Sequence, residues 1–265
     1  MIRKYRNRTN RENMQLGALT AFSAGMVNVI SVIIFFAFTS NVTGHFAILA
    51  QEISKGNWYQ ALVVFGWIGL FFLGSFTSNL VVINFNKERA YFAHALPVIL
   101  EIICLLTVGT YIQFYYKETL LETELMVALM LFAMGIQNGL TATISNGAVK
   151  TTHLTGLTTD LGILVSMFSK KVYRQKPELR DKMRLLLTIM VSYIVGGVCA
   201  GYIYLTIAYN VFYIVCVFLL IVIGYDFYHT KVTTYLQHRR QPYYRKTIKD
   251  REPQLSNQWS VRAEK

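Results

Sequence analysis

The chain has 265 residues, 54% of them hydrophobic, and a formal charge of +12 from 26 lysines and arginines against 14 aspartates and glutamates. The basic residues sit at the two ends and in one loop, outside the apolar stretches. That is the pattern of loops facing anionic lipid headgroups, and it argues against a nucleic-acid partner.

Apolar runs of 18 or more residues cross a hydrocarbon core of roughly 30 Å at about 1.5 Å per residue. Several such runs predict an all-α integral membrane bundle of about six transmembrane helices. In chain order, residues 1–14 form a basic cytoplasmic N-terminus carrying Arg3, Lys4, Arg6, Arg8 and Arg11. Spans are predicted over 15–38, 58–85, 93–115, 125–144, 185–207 and 210–228, followed by a basic tail over 229–265. The first run is too long for a signal peptide's apolar region and is expected to stay as an anchor.

Lys87 and Arg89 lie in the second connection, seven basic residues lie between Lys170 and Arg184, and nine lie in the tail. With both termini cytoplasmic, 23 of the 26 basic residues face inward, and only Lys55, Lys117 and Lys150 are left over. The positive-inside rule favours that orientation.

Two apolar pieces, 39–54 and 151–168, are too short to span. Roughly 12–16 helical residues cover only about 18–24 Å, so each is expected as a half-helix, a re-entrant segment or an interfacial helix. Were both to cross, the chain would have eight crossings and Lys87 and Arg89 would lie outside.

These pieces belong to an internal repeat. Thr39-Ser-Asn-Val-Thr-Gly44 lines up with Thr151-Thr-His-Leu-Thr-Gly156 at an offset of 112, and Gly25-Met-Val-Asn28 with Gly135-Ile-Gln-Asn138 at 110. The halves are 15–116 and 117–228, each with three spans. An odd number of spans per half turns the second copy upside down, the 3+3 inverted-repeat arrangement of many secondary transporters.

Backbone that leaves a helix inside hydrocarbon must find partners or lose several kcal/mol per group, roughly. Thr39, Ser40, Asn41, Thr43, Thr151, Thr152, His153 and Thr155 can supply them, while Gly44 and Gly156 permit close approach. Short helices after each break would aim their N-terminal amides at a central guest, which suits an anion or zwitterion. The plainer alternative is that these residues cap helices at the membrane surface.

Glu101 lies mid-span, where an exposed carboxylate is costly, so it is expected to face the bundle interior. It would either be protonated and hydrogen-bonded to a neighbouring helix or couple ion movement. Asp160 is read as an N-terminal helix charge or a gating and coupling residue. Lys150 beside the second break would hold an anion, pair with Asp160 or snorkel. Asn28, Gln137 and Asn138 are in-span amides, suited to interhelical hydrogen bonds first and substrate contact second.

Gly135-x-x-x-Gly139 and Gly197-x-x-x-Gly201 suit close contact within the bundle or at a homodimer surface. Trp58-Tyr59 and Tyr115-Tyr116 read as interfacial belts. Cys104, Cys199 and Cys216 read as small buried hydrophobes. Nucleotide-loop, metal-site and nucleophile-elbow motifs are lacking, so no enzyme activity, metal or cofactor is expected.

At Gly25-Met-Val-Asn28, Thr39 to Gly44, Ala133 to Asn138 and Thr151-Thr-His-Leu-Thr-Gly-Leu-Thr-Thr-Asp-Leu-Gly162, the chain resembles the YoaK-type family of bacterial multi-pass membrane proteins. The resemblance covers roughly 14–228 and implies a bacterial inner membrane and about six spans, with no substrate. The functional expectation is a secondary transporter or permease for a small polar or anionic solute. The competing readings are a channel, a membrane scaffold or sensor acting through the basic tail, and, last, an intramembrane enzyme.

Overall fold

Thr9 opens the first helix: its hydroxyl accepts the N–H of Glu12, and the Glu12 carboxylate accepts the N–H of Thr9. This capping box starts α1 at Asn10, before the apolar run begins, and α1 continues to Phe35. Thr119 and Glu122 repeat the device at the start of α5, Leu120–Ile144, again ahead of the apolar pattern. The structure is a computed structural model and describes residues 9–85 and 90–224. Arg3, Lys4, Arg6, Arg8, Lys87, Arg89 and the basic tail lie outside the described residues.

Between and after these helices come α2 (Val42–Ser54), α3 (Trp58–Phe85), α4 (Ala90–Phe114), α6 (Leu154–Met167), the single turn α7 (Lys171–Arg174) and α8 (Pro177–Ile207). A last helix, α9, covers 211–224. Pro177 stands in the first turn of α8, where its missing N–H costs nothing. That start carries the helix through charged residues which hydropathy alone leaves in the loop. A 3-10 turn, Ala208–Asn210, separates α8 from α9, with Ala208 at φ 49°.

Among the described residues, five segments are long and apolar enough to cross a membrane: Asn10–Phe35, Trp58–Phe85, Tyr91–Phe114, Leu120–Ile144 and Pro177–Gly224. The fifth, at 48 residues, contains the Ala208 break, which falls where the sequence places a boundary between two spans. The 13-residue α2 and 14-residue α6 reach only about 20 Å and are too short to span. Leu62, Phe65, Phe72 and Phe76 on α3, with Val198 and Leu205 on α8, are exposed. So continuous an apolar surface fits lipid as its solvent, and the chain is a multi-pass helical membrane protein.

Helix contact in lipid depends on close packing, because lipid tails are as apolar as leucine. Here α1 packs on α8, and α5 on α3, main chain against main chain. A methyl group on Gly25 would overlap the carbonyl oxygen of Tyr193, and one on Gly196 that of Phe22. Likewise Gly135 meets the carbonyl oxygen of Phe71, and Gly74 that of Phe132. Gly139 faces Ser75 and Ser78, so the Gly135-x-x-x-Gly139 face is used within the bundle. Gly197 packs on Val29, while Gly201 borders an open apolar groove.

α1 and α5 run in opposite directions. Phe35, at the end of α1, meets Tyr116 just before α5, whereas Asn13 shares a cavity with Gly147 just after it. The core between them takes Met26, Val27 and Ile30 from α1, Leu105 and Val108 from α4, Met130 and Met134 from α5, and Phe212 from α9. Cys104 and Cys216 are buried in it as free thiols, and Cys199 is half-buried. Glu101 is fully buried one turn after Pro97, as expected of a side chain turned inward, but neither carboxyl oxygen has a hydrogen-bond partner among the described residues.

Candidate functional site

The chain leaves α1 at Phe36, in the left-handed region at φ 54°, and is not helical again until Val42. Asn28, two turns back inside α1, holds this break. Its Oδ1 accepts the Thr39 N–H and the Thr39 hydroxyl, both at 3.2 Å, and its Nδ2 donates to the Ala24 carbonyl at 3.0 Å. Ser31 adds a bond from its hydroxyl to the Ala37 carbonyl at 2.8 Å.

The second break is held in the same manner. Asn138 Oδ1 accepts the hydroxyls of Thr151 at 3.3 Å and Thr152 at 3.0 Å, and Nδ2 donates to the Met134 carbonyl at 3.1 Å. Gln137 turns the other way and donates to the Ser23 hydroxyl on α1.

Each short helix then starts from an N-cap of nearly the same backbone shape: Asn41 at φ −86°, ψ 67° and His153 at φ −85°, ψ 55°. Asn41 Oδ1 accepts the Gly44 N–H at 3.1 Å, whereas His153 makes no capping hydrogen bond. Both side chains lie over the glycine three residues on, and a methyl group on Gly44 or Gly156 would run into them.

These parts enclose one open cavity of about 550 Å³. Asn28, Asn41, Thr43, Asn138, Lys150, Thr152, His153 and Thr155 all line it, so the structure brings together most of the residues singled out from sequence. Thr39 is buried behind the wall, where it occupies the Asn28 oxygen. Among the described residues that line it, Lys150 is the one lysine or arginine, and there is no carboxylate.

A second cavity, of about 650 Å³, opens between the starts of α1, α6 and α8. Asn10, Asn13, Gly156, Asp160, Asp181 and Lys182 contribute to it, and Lys150 and His153 line both cavities. Asp160 pairs with Lys182 at 2.9 Å rather than with Lys150, and both side chains are about half exposed. Glu101 lines neither cavity, so the three ionisable candidates do not form one cluster.

Sequence reading missed Phe38, Phe71, Ser75 and Tyr193 in the central wall. Phe71 and Tyr193 had a signal: each stands three residues before a glycine, Gly74 and Gly196, at a common offset of 122. Also missed is a polar cluster around Glu124, whose carboxylate accepts the Tyr59 hydroxyl at 2.7 Å and the Gln60 amide at 2.8 Å. No group of three or more potential metal ligands occurs among the described residues.

Residues 16–225 match the family model described as Protein of unknown function (DUF1275). No curated protein and no solved structure matches the chain.

Proposed function

The chain belongs to the family described as Protein of unknown function (DUF1275), and we propose that it is a secondary transporter for a small anionic solute. The hydrogen-bonding capacity left over in the central cavity carries the reading. An amide oxygen has two lone pairs, and the breaks fill both on Asn28 and both on Asn138. Each amide nitrogen still has one hydrogen after its bond to the carbonyl four residues back. Beside the hydroxyls of Ser40, Thr43, Thr155 and Tyr193, which can donate or accept, the wall offers donors: the Lys150 ammonium, the remaining amide hydrogens of Asn28 and Asn138, and the first turns of α2 and α6 with the positive ends of their dipoles. An acceptor-rich guest is the complement of such a wall.

The reading includes a 3+3 inverted repeat of six spans, with α8 and α9 counted separately. Its support is the pairing of Phe22 and Gly25 on Tyr193 and Gly196 with that of Phe132 and Gly135 on Phe71 and Gly74. The antiparallel course of α1 and α5 supports it as well. The basic segments favour both termini in the cytoplasm of a bacterial inner membrane, with the second cavity facing inward.

The test is a ligand-stabilisation screen on purified protein, with pools of organic acids, amino acids, nucleobases and inorganic anions, followed by flux in proteoliposomes. A true ligand at about 100 times its Kd adds about 2.7 kcal/mol of stability, a readable rise in melting temperature. One anion class is expected to give a saturable shift that Lys150→Gln and His153→Ala lose. No shift in any pool, with both variants as stable as wild type, overturns the reading in favour of a scaffold or sensor. Flux without saturation would make the protein a channel.

A further inference from the structure

The two ends of the central cavity are not alike. At the α1/α8 end, Leu157, Asp181, Lys182 and Ile189 line the open second cavity. Under the offsets that pair the two halves, 112 for the short helices and 122 for the α3/α8 pair, their counterparts are His45, Tyr59, Gln60 and Trp67. These four side chains cluster at the opposite end, with His45 buried and Tyr59 53% exposed.

Tyr59 and Gln60 hold the Glu124 carboxylate at 2.7 and 2.8 Å, and the Trp67 indole N–H donates to the Glu124 main-chain carbonyl at 3.1 Å. The His45 ring stands edge-on to Trp67 at 5.5 Å, and its Nε2 lies 2.8 Å from the carbonyl oxygen of Phe38, a residue of the cavity wall. Contacts thus run unbroken from Glu124 to the binding cavity. Glu124 is 6% exposed and His45 3%.

We propose that Glu124 is the latch of a gate at this end, closed here while the other end is open, and that solute entry from this side requires its release. The inference rests on the transporter reading and on the pairing of the halves. The closed gate is not fully satisfied: His45 Nδ1 is buried with no hydrogen-bond partner among the described residues. Admitting water on opening relieves that atom, which keeps the closed state from being overwhelmingly favoured. The latch also has a route to sense the cavity, since a guest that moves Phe38 moves the carbonyl on which His45 rests.

The experiment places a reporter thiol in the wall, Thr43→Cys, and labels it in membrane vesicles of each orientation with a membrane-impermeant maleimide. The parent chain, with its three native cysteines, is the control. With the latch intact, labelling is expected from the second-cavity side only. Adding Glu124→Ala is expected to raise labelling from the opposite side by at least about tenfold, the factor for losing even one hydrogen bond to a charged group. Tyr59→Phe with Gln60→Leu releases the same carboxylate and keeps the test open if Glu124→Ala does not fold. Labelling that stays one-sided in both backgrounds overturns the latch. The assay needs no solute, so a two-sided result stands even if the ligand screen fails, and a one-sided result leaves the solute site untouched.

Discussion

The Asn28 amide oxygen is the shared acceptor for both the main-chain N–H and the hydroxyl of Thr39. Asn138 holds its break through two hydroxyls instead. Thr39 is completely buried, so losing its acceptor strands a main-chain donor out of reach of water.

From this difference, Asn28→Ala should destabilise more than Asn138→Ala. A stranded buried donor costs about 1–3 kcal/mol, and Asn28→Ala strands the Thr39 main-chain N–H, which cannot turn away, whereas Asn138→Ala frees only hydroxyls, which rotate, Thr152 with the cavity to turn into. Thermal unfolding of the two variants in detergent checks the order, and equal losses would contradict it.

The helix crossings make a second pair of variants informative. Gly25→Ala and Gly135→Ala place a methyl group against main-chain carbonyl oxygens, while Gly66 and Gly69 have nothing within 4 Å of an added Cβ. The first two should lower stability by about 1–3 kcal/mol, as overpacking does. Gly66→Ala and Gly69→Ala should be neutral or raise it by up to about 1 kcal/mol through helix propensity. Melting temperature and monodispersity on gel filtration report both outcomes.

Glu101 offers a test that separates stability from transport. Its two carboxyl oxygens are buried without partners among the described residues, and a buried polar group left unsatisfied costs about 1–3 kcal/mol, a cost that an apolar side chain of similar volume does not carry. Glu101→Leu is therefore expected to melt higher than wild type. Loss of solute flux in that better-folded variant would assign the carboxyl to ion coupling, and unchanged flux would assign it no part in transport.

The Asp160–Lys182 pair should behave as a surface pair does. Both side chains are about half exposed, and such pairs contribute about 0–1 kcal/mol. Asp160→Asn and Lys182→Gln should each leave the melting temperature nearly unchanged. A large fall in either variant would show that the pair holds α6 to α8.

The long apolar helices, the two short helices and the paired breaks were legible in sequence, because each rests on local composition: apolar length, a Thr/Asn-rich interruption, a glycine three residues after an N-cap. Asn28 and Asn138 stood out for the same reason, although their oxygens prove to be occupied by the breaks. Helix starts were less legible. Thr9 and Thr119 move them upstream through capping, and Pro177 does so through backbone preference, neither of which hydropathy registers. The Glu124 cluster was invisible because its members meet only in three dimensions: Tyr59 and Glu124 are 65 residues apart, and alone each looks like an interfacial side chain.

Where Gly25 meets the Tyr193 carbonyl and Gly135 that of Phe71, no side chain stands between the helices. Interlocked side chains resist turning, because they must unthread before one helix can swing against another. Bare main-chain contact resists being pressed together but puts little in the way of turning. At the α1/α8 crossing the pivot is main chain alone, while side chains close the helices on either side of it, Ile189 on Gly17 and Val29 on Gly197, so any swing there has to part those two contacts first.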